Sequence, residues 1–95
     1  MHANMVPEQI TIMVRQYIVD NFLFGDGGGL GNDQSLLDAG ALDSTGVIEL
    51  VSFLEETFTI GIGDQDLVPD NFDSVDRIAR FVTGKLRERT AQGQG

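Results

Sequence analysis

The sequence predicts a small all-α fold built as a four-helix bundle, with a long first loop and a short third helix. Three observations lead there. Apolar residues recur at three- and four-residue spacing in three separate segments, which is the signature of a helix burying one face. Residues suited to helix starts stand in front of those segments. Glycine- or proline-bearing stretches separate them.

The first helix is expected over Pro7–Phe22. Pro7 suits a first helical position, where its missing N–H has no intrahelical use. Ile10, Met13, Val14, Tyr17, Ile18 and Phe22 form one apolar stripe, and Glu8 complements the positive end of the helix dipole. Residues 25–43 follow as a long connection. Its first part, Gly25-Asp26-Gly27-Gly28-Gly29-Leu30-Gly31, is too rich in glycine for a helix. Its second part carries Leu36, Leu37, Ala41 and Leu42, which are expected to pack back on the bundle.

A second helix is expected over Ser44–Phe58, capped by Asp43. Val47, Leu50, Val51, Leu54 and Phe58 make its inner face. Thr45, Glu49, Ser52 and Glu56 make its outer face, with Glu55 beside them and Ile48 close by. Gly61 and Gly63 are expected to stop it, with Ile60 and Ile62 anchoring the turn. Residues 64–72 contain Pro69 and allow only a short helical turn, anchored by Val68 and Phe72. Asp73-Ser74 then cap a last helix reaching about Arg89, with Val75, Ile78, Ala79, Val82 and Leu86 on one face. The expectation is one domain over residues 1–95, with a core of about 7–89 and flexible ends.

Composition bounds the function. The chain has 95 residues and a hydrophobic fraction of 41%, enough for one modest core. It has no Cys, hence no disulfide framework, thiolate metal site or cysteine nucleophile. No apolar run approaches the roughly 20 residues needed to span a bilayer, and the start of the chain lacks the pattern of a signal peptide. A soluble cytoplasmic protein is the expectation. The formal net charge of −9 disfavours nucleic acid and anionic membrane surfaces and favours basic partners. Up to Asp76 there are 14 acidic residues against Arg15 alone, while Arg77, Arg80, Lys85, Arg87 and Arg89 crowd the last segment.

Three catalytic or ligand-binding patterns fail on detail. The glycine tract satisfies no G-x-G-x-x-G register, and Gly84-Lys85 is followed by Leu86 within the last helix. Asp64, Asp66, Asp70 and Asp73 resemble a calcium loop only until its fifth and sixth positions, which here are Val68 and Pro69. A hydrolase needs a nucleophile, a base and an orienting group; the sole His is His2, and the adjacent Glu55 and Glu56 diverge by roughly 100° around a helix. No metal site and no enzymatic activity are expected.

The approach to the second helix is different. In Leu36-Leu37-Asp38-Ala39-Gly40-Ala41-Leu42-Asp43-Ser44 a serine opens an acidic helix after a structured loop. Simple helix capping explains it. So does modification: a hydroxyl at a helix N-terminus is expected to be exposed, and a phosphate attached there meets free N–H groups and the favourable end of the dipole.

Gly40-Ala41-Leu42-Asp43-Ser44, followed by Glu49-Leu50-Val51 and Leu54-Glu55-Glu56-Thr57-Phe58, resembles the acyl carrier and peptidyl carrier proteins. Pro69-Asp70-Asn71-Phe72-Asp73-Ser74-Val75 is similar to the short third helix and fourth-helix start of standalone carriers. The likeness runs from about Ile10 to Leu86. It implies a bundle that carries 4'-phosphopantetheine, moved from coenzyme A onto Ser44 by a phosphopantetheinyl transferase. The arm's thiol then holds acyl or aminoacyl groups as thioesters. It also implies a loading ligase or transferase, and downstream biosynthetic enzymes of fatty-acid, polyketide or nonribosomal-peptide type whose basic patches dock the second helix. Carried onto this sequence, that face is Asp43, Thr45, Gly46, Ile48, Glu49, Ser52, Glu55 and Glu56, presented by a monomer. A different class remains beside it: an unmodified acidic interaction module with a carrier-like fold.

One departure concerns recognition. The family usually reads Asp-Ser-Leu, whereas here Thr45 and Gly46 follow Asp43-Ser44. Thr45 removes an apolar contact for the transferase, and Gly46 weakens the helix start by about 1 kcal/mol relative to Ala. The variant resembles freestanding carriers serving adenylating ligases in secondary metabolism as much as it does fatty-acid carriers. A buried acyl chain would need a cavity between the last three helices, with Val47, Val51, Phe72 and Ile78 as expected linings.

Overall fold

The computed structural model describes residues 6–23 and 29–92, with side chains described as far as Glu88. His2, Gly25–Gly28 and both chain ends therefore lie outside the described residues. Four helices follow in order: α1 (Pro7–Phe22), α2 (Ser44–Phe58), α3 (Pro69–Phe72) and α4 (Val75–Gln92), with a 3-10 turn at Asp64–Asp66 before α3. The predicted bounds of α1 and α2 hold; α4 runs slightly beyond Arg89. Among the described residues no helix is long and apolar enough to cross a membrane.

α1 begins at Pro7, and the Gln9 side chain reaches back to accept the Val6 amide at 3.3 Å. Its buried stripe is Ile10, Val14 and Ile18, with Met13, Tyr17 and Phe22 partly covered. α1 and α4 lie against each other, and Val75, Ile78, Ala79 and Val82 complete the buried centre with Leu50, Leu54, Phe58 and Phe72. Tyr17 couples α1 to α2: its ring stacks on Phe53 with centroids 3.9 Å apart, and its hydroxyl donates to the Glu49 carbonyl at 3.3 Å. Burial, helped by the Glu49 charge, raises the Tyr17 pKa above the ordinary phenol value, so the hydroxyl remains a donor throughout the neutral range.

α2 does not end at a glycine. Thr59 takes the left-handed conformation at φ 54°, while neither Gly61 nor Gly63 has positive φ. This corrects the expected stop. Ile60 is buried and Ile62 packs on the core, and Glu55 accepts the Ile62 amide at 3.0 Å. The chain is thereby turned by its own side chains, and a residue that ordinarily avoids this backbone region is held there.

The 3-10 turn and α3 rest on α4. Asp66 pairs with Lys85 at 2.9 Å and accepts the Gly63 amide at 3.0 Å. Phe72 is buried against Phe81. Val68, expected in the core, is 42% exposed, because Pro69 starts a helix of only four residues and a single turn buries one large side chain, Phe72.

The second part of the first loop contains structure that periodicity does not reveal. The Ala39 amide donates to Ser35, the Gly40 amide to Leu37 and the Ala41 amide to Leu36. Those last two bonds, with Gly40 at φ 74°, form a Schellman closure of a single helical turn. Ser35 Oγ caps its start by accepting the Asp38 amide at 3.1 Å. Leu36, Ala41 and Leu42 are buried as expected, and Leu30 joins them. Leu37 is instead 46% exposed, since one turn cannot turn two successive leucines inward.

Candidate functional site

The loop delivers the chain to the N-terminus of α2. Asp43 is extended, at φ −125° and ψ −173°, and its carboxylate accepts the Gly46 amide at 2.8 Å. Its carbonyl accepts the Val47 amide, also at 2.8 Å. Asp43 is therefore the cap, and Ser44 is left as the first helical residue with an exposed side chain. Helix geometry gives the Ser44 and Thr45 amides no intrahelical acceptor. A phosphodiester on Ser44 fits this position: the hydroxyl is accessible, first-turn donors surround it and the dipole favours negative charge. The Gly46 amide is not among those donors, because Asp43 holds it.

Of the predicted docking face, Asp43, Thr45, Ile48, Glu49, Ser52 and Glu56 are exposed together along one side of α2. Ile48 is 68% exposed, an apolar knob among acidic and hydroxyl side chains. Two residues are corrected. Gly46 is buried, and a Cβ there would stand 3.0 Å from the Phe22 ring and 3.2 Å from Leu42. The close approach of α1's last residue leaves little room for a Cβ there, and no side chain is offered to a partner. Glu55 is half-buried and committed to the Ile62 amide, so it belongs to the turn after α2.

Charge divides the surface in the same way. α4 directs Arg77 at Asp70, 3.7 Å away, and Lys85 at Asp66. Asp70 and Asp66 are thus each paired with a base of α4, while Glu49 and Glu56 face solvent on α2.

An apolar pocket of about 150 Å³ opens between the loop, α2 and the segment entering α3, with Leu42 and Val47, on either side of Ser44 in the sequence, among its lining. Leu37 and Leu42 line it from the loop, Val47 from α2, and Leu67, Val68, Pro69 and Phe72 from the far side. Of the four expected linings, Val47 and Phe72 are present. Val51 and Ile78 are not; Ile78 is fully buried in the core. The exposure of Leu37 and Val68 gives this pocket its mouth.

Sequence reasoning missed Ser35 and Asp73. By its position in the sequence Asp73 stands with Ser74 as a cap for α4. Ser74 does this alone, accepting the Arg77 amide at 3.1 Å, while Asp73 Oδ1 accepts Ser35 Oγ at 2.9 Å and the Leu37 amide at 3.2 Å. The Ser35…Gly40 spacing, a cap residue followed by a C-terminal glycine, is the local signal for the turn. Nothing local signals its tie to Asp73.

No family model matches the chain. Among curated proteins, it is 31% identical over 77 residues to the "Probable acyl carrier protein PigG" of Serratia sp. (strain ATCC 39006), covering 81% of this chain and 87% of that relative. It is 40% identical over 50 residues to the D-alanyl carrier protein of Streptococcus pyogenes serotype M5, over 53% of this chain and 63% of that relative. The same identity and coverage recur in the D-alanyl carrier protein of Streptococcus pyogenes serotype M49. The helical bundle and the overlap across most of the first relative make the same assignment: the chain belongs to the acyl carrier protein family and is a carrier protein.

Proposed function

We propose that Ser44 is the attachment residue for 4'-phosphopantetheine, and that the protein carries acyl or aminoacyl groups as thioesters on that arm. The observation that carries this reading is the exposed Ser44 hydroxyl at the first position of α2, beside a cap supplied by Asp43 rather than by Ser44. Ser44 is thereby spared the capping role that would otherwise explain it.

In the attachment step, Ser44 Oγ forms a phosphoester bond while the diphosphate bond of coenzyme A breaks. Adenosine 3',5'-bisphosphate leaves, and the serine proton passes to a base on the transferase. The chain's part is presentation. Asp43 fixes the helix start, and first-turn amides meet the new phosphate. The arm's terminal thiol supplies the reactive sulfur that a Cys-free sequence lacks.

Partners in this reading are a phosphopantetheinyl transferase, a loading ligase or transferase, and downstream biosynthetic enzymes, meeting the carrier in the cytoplasm. Their basic patches approach Glu49 and Glu56, and Ile48 supplies the apolar contact. An apolar cavity of about 150 Å³ has room for a ring the size of benzene. The pocket therefore favours compact apolar cargo over a long chain.

The protein purified from its own cells tests this. Fragment mass spectrometry should find the arm on the peptide containing Ser44, and a thiol-ester cleaving nucleophile should release the cargo. A native protein with Ser44 unmodified, purified together with its partners, would instead identify an unmodified interaction module.

A further inference from the structure

The residues that hold the approach to Ser44 lie far from it in sequence. Asp73 makes three bonds to three consecutive loop residues. Its Oδ1 accepts Ser35 Oγ at 2.9 Å and the Leu37 amide at 3.2 Å, and its carbonyl accepts the Leu36 amide at 2.7 Å. One further rung lies alongside, with the Asp76 amide donating to the Asn32 carbonyl at 2.9 Å. The start of α4 is thus a mooring for the loop.

What is moored there leads directly to the attachment residue. Ser35, Leu36 and Leu37 open the turn that the Gly40 closure ends. Buried Ala41 and Leu42 then continue into Asp43 and Ser44. Leu36 is fully buried in the core while its amide donates to the Asp73 carbonyl, so the turn is fixed from both sides. Hydrogen bonds to an ionised acceptor are stronger than neutral ones. Asp73 commits its carboxylate to the loop, while Ser74 caps the start of α4 by accepting the Arg77 amide.

We infer that Asp73 is a positioning residue for Ser44, holding residues 35–43 in the arrangement that the transferase reads. This rests on Ser44 being the attachment residue. With the loop already ordered, docking carries no entropic cost for ordering it; with the mooring cut, each encounter must order it first.

The test follows transfer from coenzyme A by a broad-specificity phosphopantetheinyl transferase, with carrier concentration varied. Asp73→Ala should raise the KM for the carrier roughly five- to tenfold, the effect of losing charge-assisted bonds, with kcat nearly unchanged. Asp73→Asn retains an oxygen in the same place and should recover most of the loss. Ser35→Ala removes one of the bonds to Asp73 together with the cap on the Asp38 amide, both from the loop side without touching α4, and should shift KM the same way by a smaller factor. Val82→Ala serves as the comparison, because Val82 is fully buried on α4 and makes none of these bonds. It should lower the melting temperature and leave KM alone. Amide exchange should show Leu36 and Leu37 losing protection in Asp73→Ala and not in Val82→Ala. Wild-type KM in both Asp73→Ala and Ser35→Ala overturns the inference, as does an equal rise of KM in Val82→Ala. Absence of any arm on the wild-type protein, seen by mass before variants are compared, overturns the Ser44 reading and this one with it.

Discussion

At the N-terminus of α2, neighbouring residues do separate work. Asp43 caps, Ser44 is exposed and Gly46 admits Phe22. Asp43→Ala should cost about 1 kcal/mol of stability in denaturant unfolding, the usual effect of losing such a cap. Ser44→Ala should change stability by less than about 0.5 kcal/mol, as an exposed substitution away from caps and packing does. At Gly46, helix propensity alone favours Ala by about 1 kcal/mol. The Cβ would meet Phe22 at 3.0 Å, and overpacking of this kind costs about 1–3 kcal/mol. Gly46→Ala should therefore be destabilising on balance, and unfolding curves will give the sign. The sequence identifies Asp43 and Ser44 because capping is a local property. It misplaces Gly46 on the docking face, because a residue's burial against Phe22 depends on where α1 ends in space.

Among the elements, α1 and α2 were legible to the residue, since a long apolar stripe runs along each and Pro7 in one and the Asp43 cap in the other mark the start. Shorter pieces were not. The Ser35–Gly40 turn contains too few residues to show a period, and the expected glycine stop after α2 proved to be Thr59. In both cases side-chain and tertiary bonds decide the backbone, through Asp73 in one and Glu55 in the other. The tie between the 3-10 turn and α4 has a pH signature. The side-chain hydrogen bond from Lys85, joined by the Gly63 amide, lowers the Asp66 pKa below the ordinary carboxylate range. A carboxylate with a depressed folded pKa contributes stability above its unfolded value, near pH 4, and loses that contribution as pH falls through the lower folded value. Lys85→Met keeps a side chain of similar length while removing the charge that pairs with Asp66. Stability measured between pH 6 and pH 2 should fall less steeply in Lys85→Met than in the wild type.

For the whole molecule, the division of charge matters more than its sum. Arg77 and Lys85 of α4 turn toward Asp70 and Asp66, while Glu49 and Glu56 stay exposed on the helix that Ser44 opens. Transfer to the carrier should accordingly slow as ionic strength rises, since exposed charges steer encounters and salt screens them. Glu49→Lys with Glu56→Lys should slow it at low salt about tenfold and leave stability nearly unchanged, with the rate difference shrinking in high salt. The family and the four-helix architecture were visible in the sequence from the Ser44 motif and the second-half pattern. The pocket was legible only in part: Val47 and Phe72 were expected, but Leu37, Leu67 and Val68 join them through an exposure that periodicity alone assigned to the core or left unread.

The attachment of the arm to Ser44 is tested most directly by intact mass. Folded wild-type protein and Ser44→Ala, both checked by circular dichroism, are incubated with coenzyme A and a broad-specificity phosphopantetheinyl transferase. The wild type should gain the mass of one phosphopantetheine and Ser44→Ala should gain none. An unchanged mass in the folded wild type, or the same gain in Ser44→Ala, would contradict the assignment.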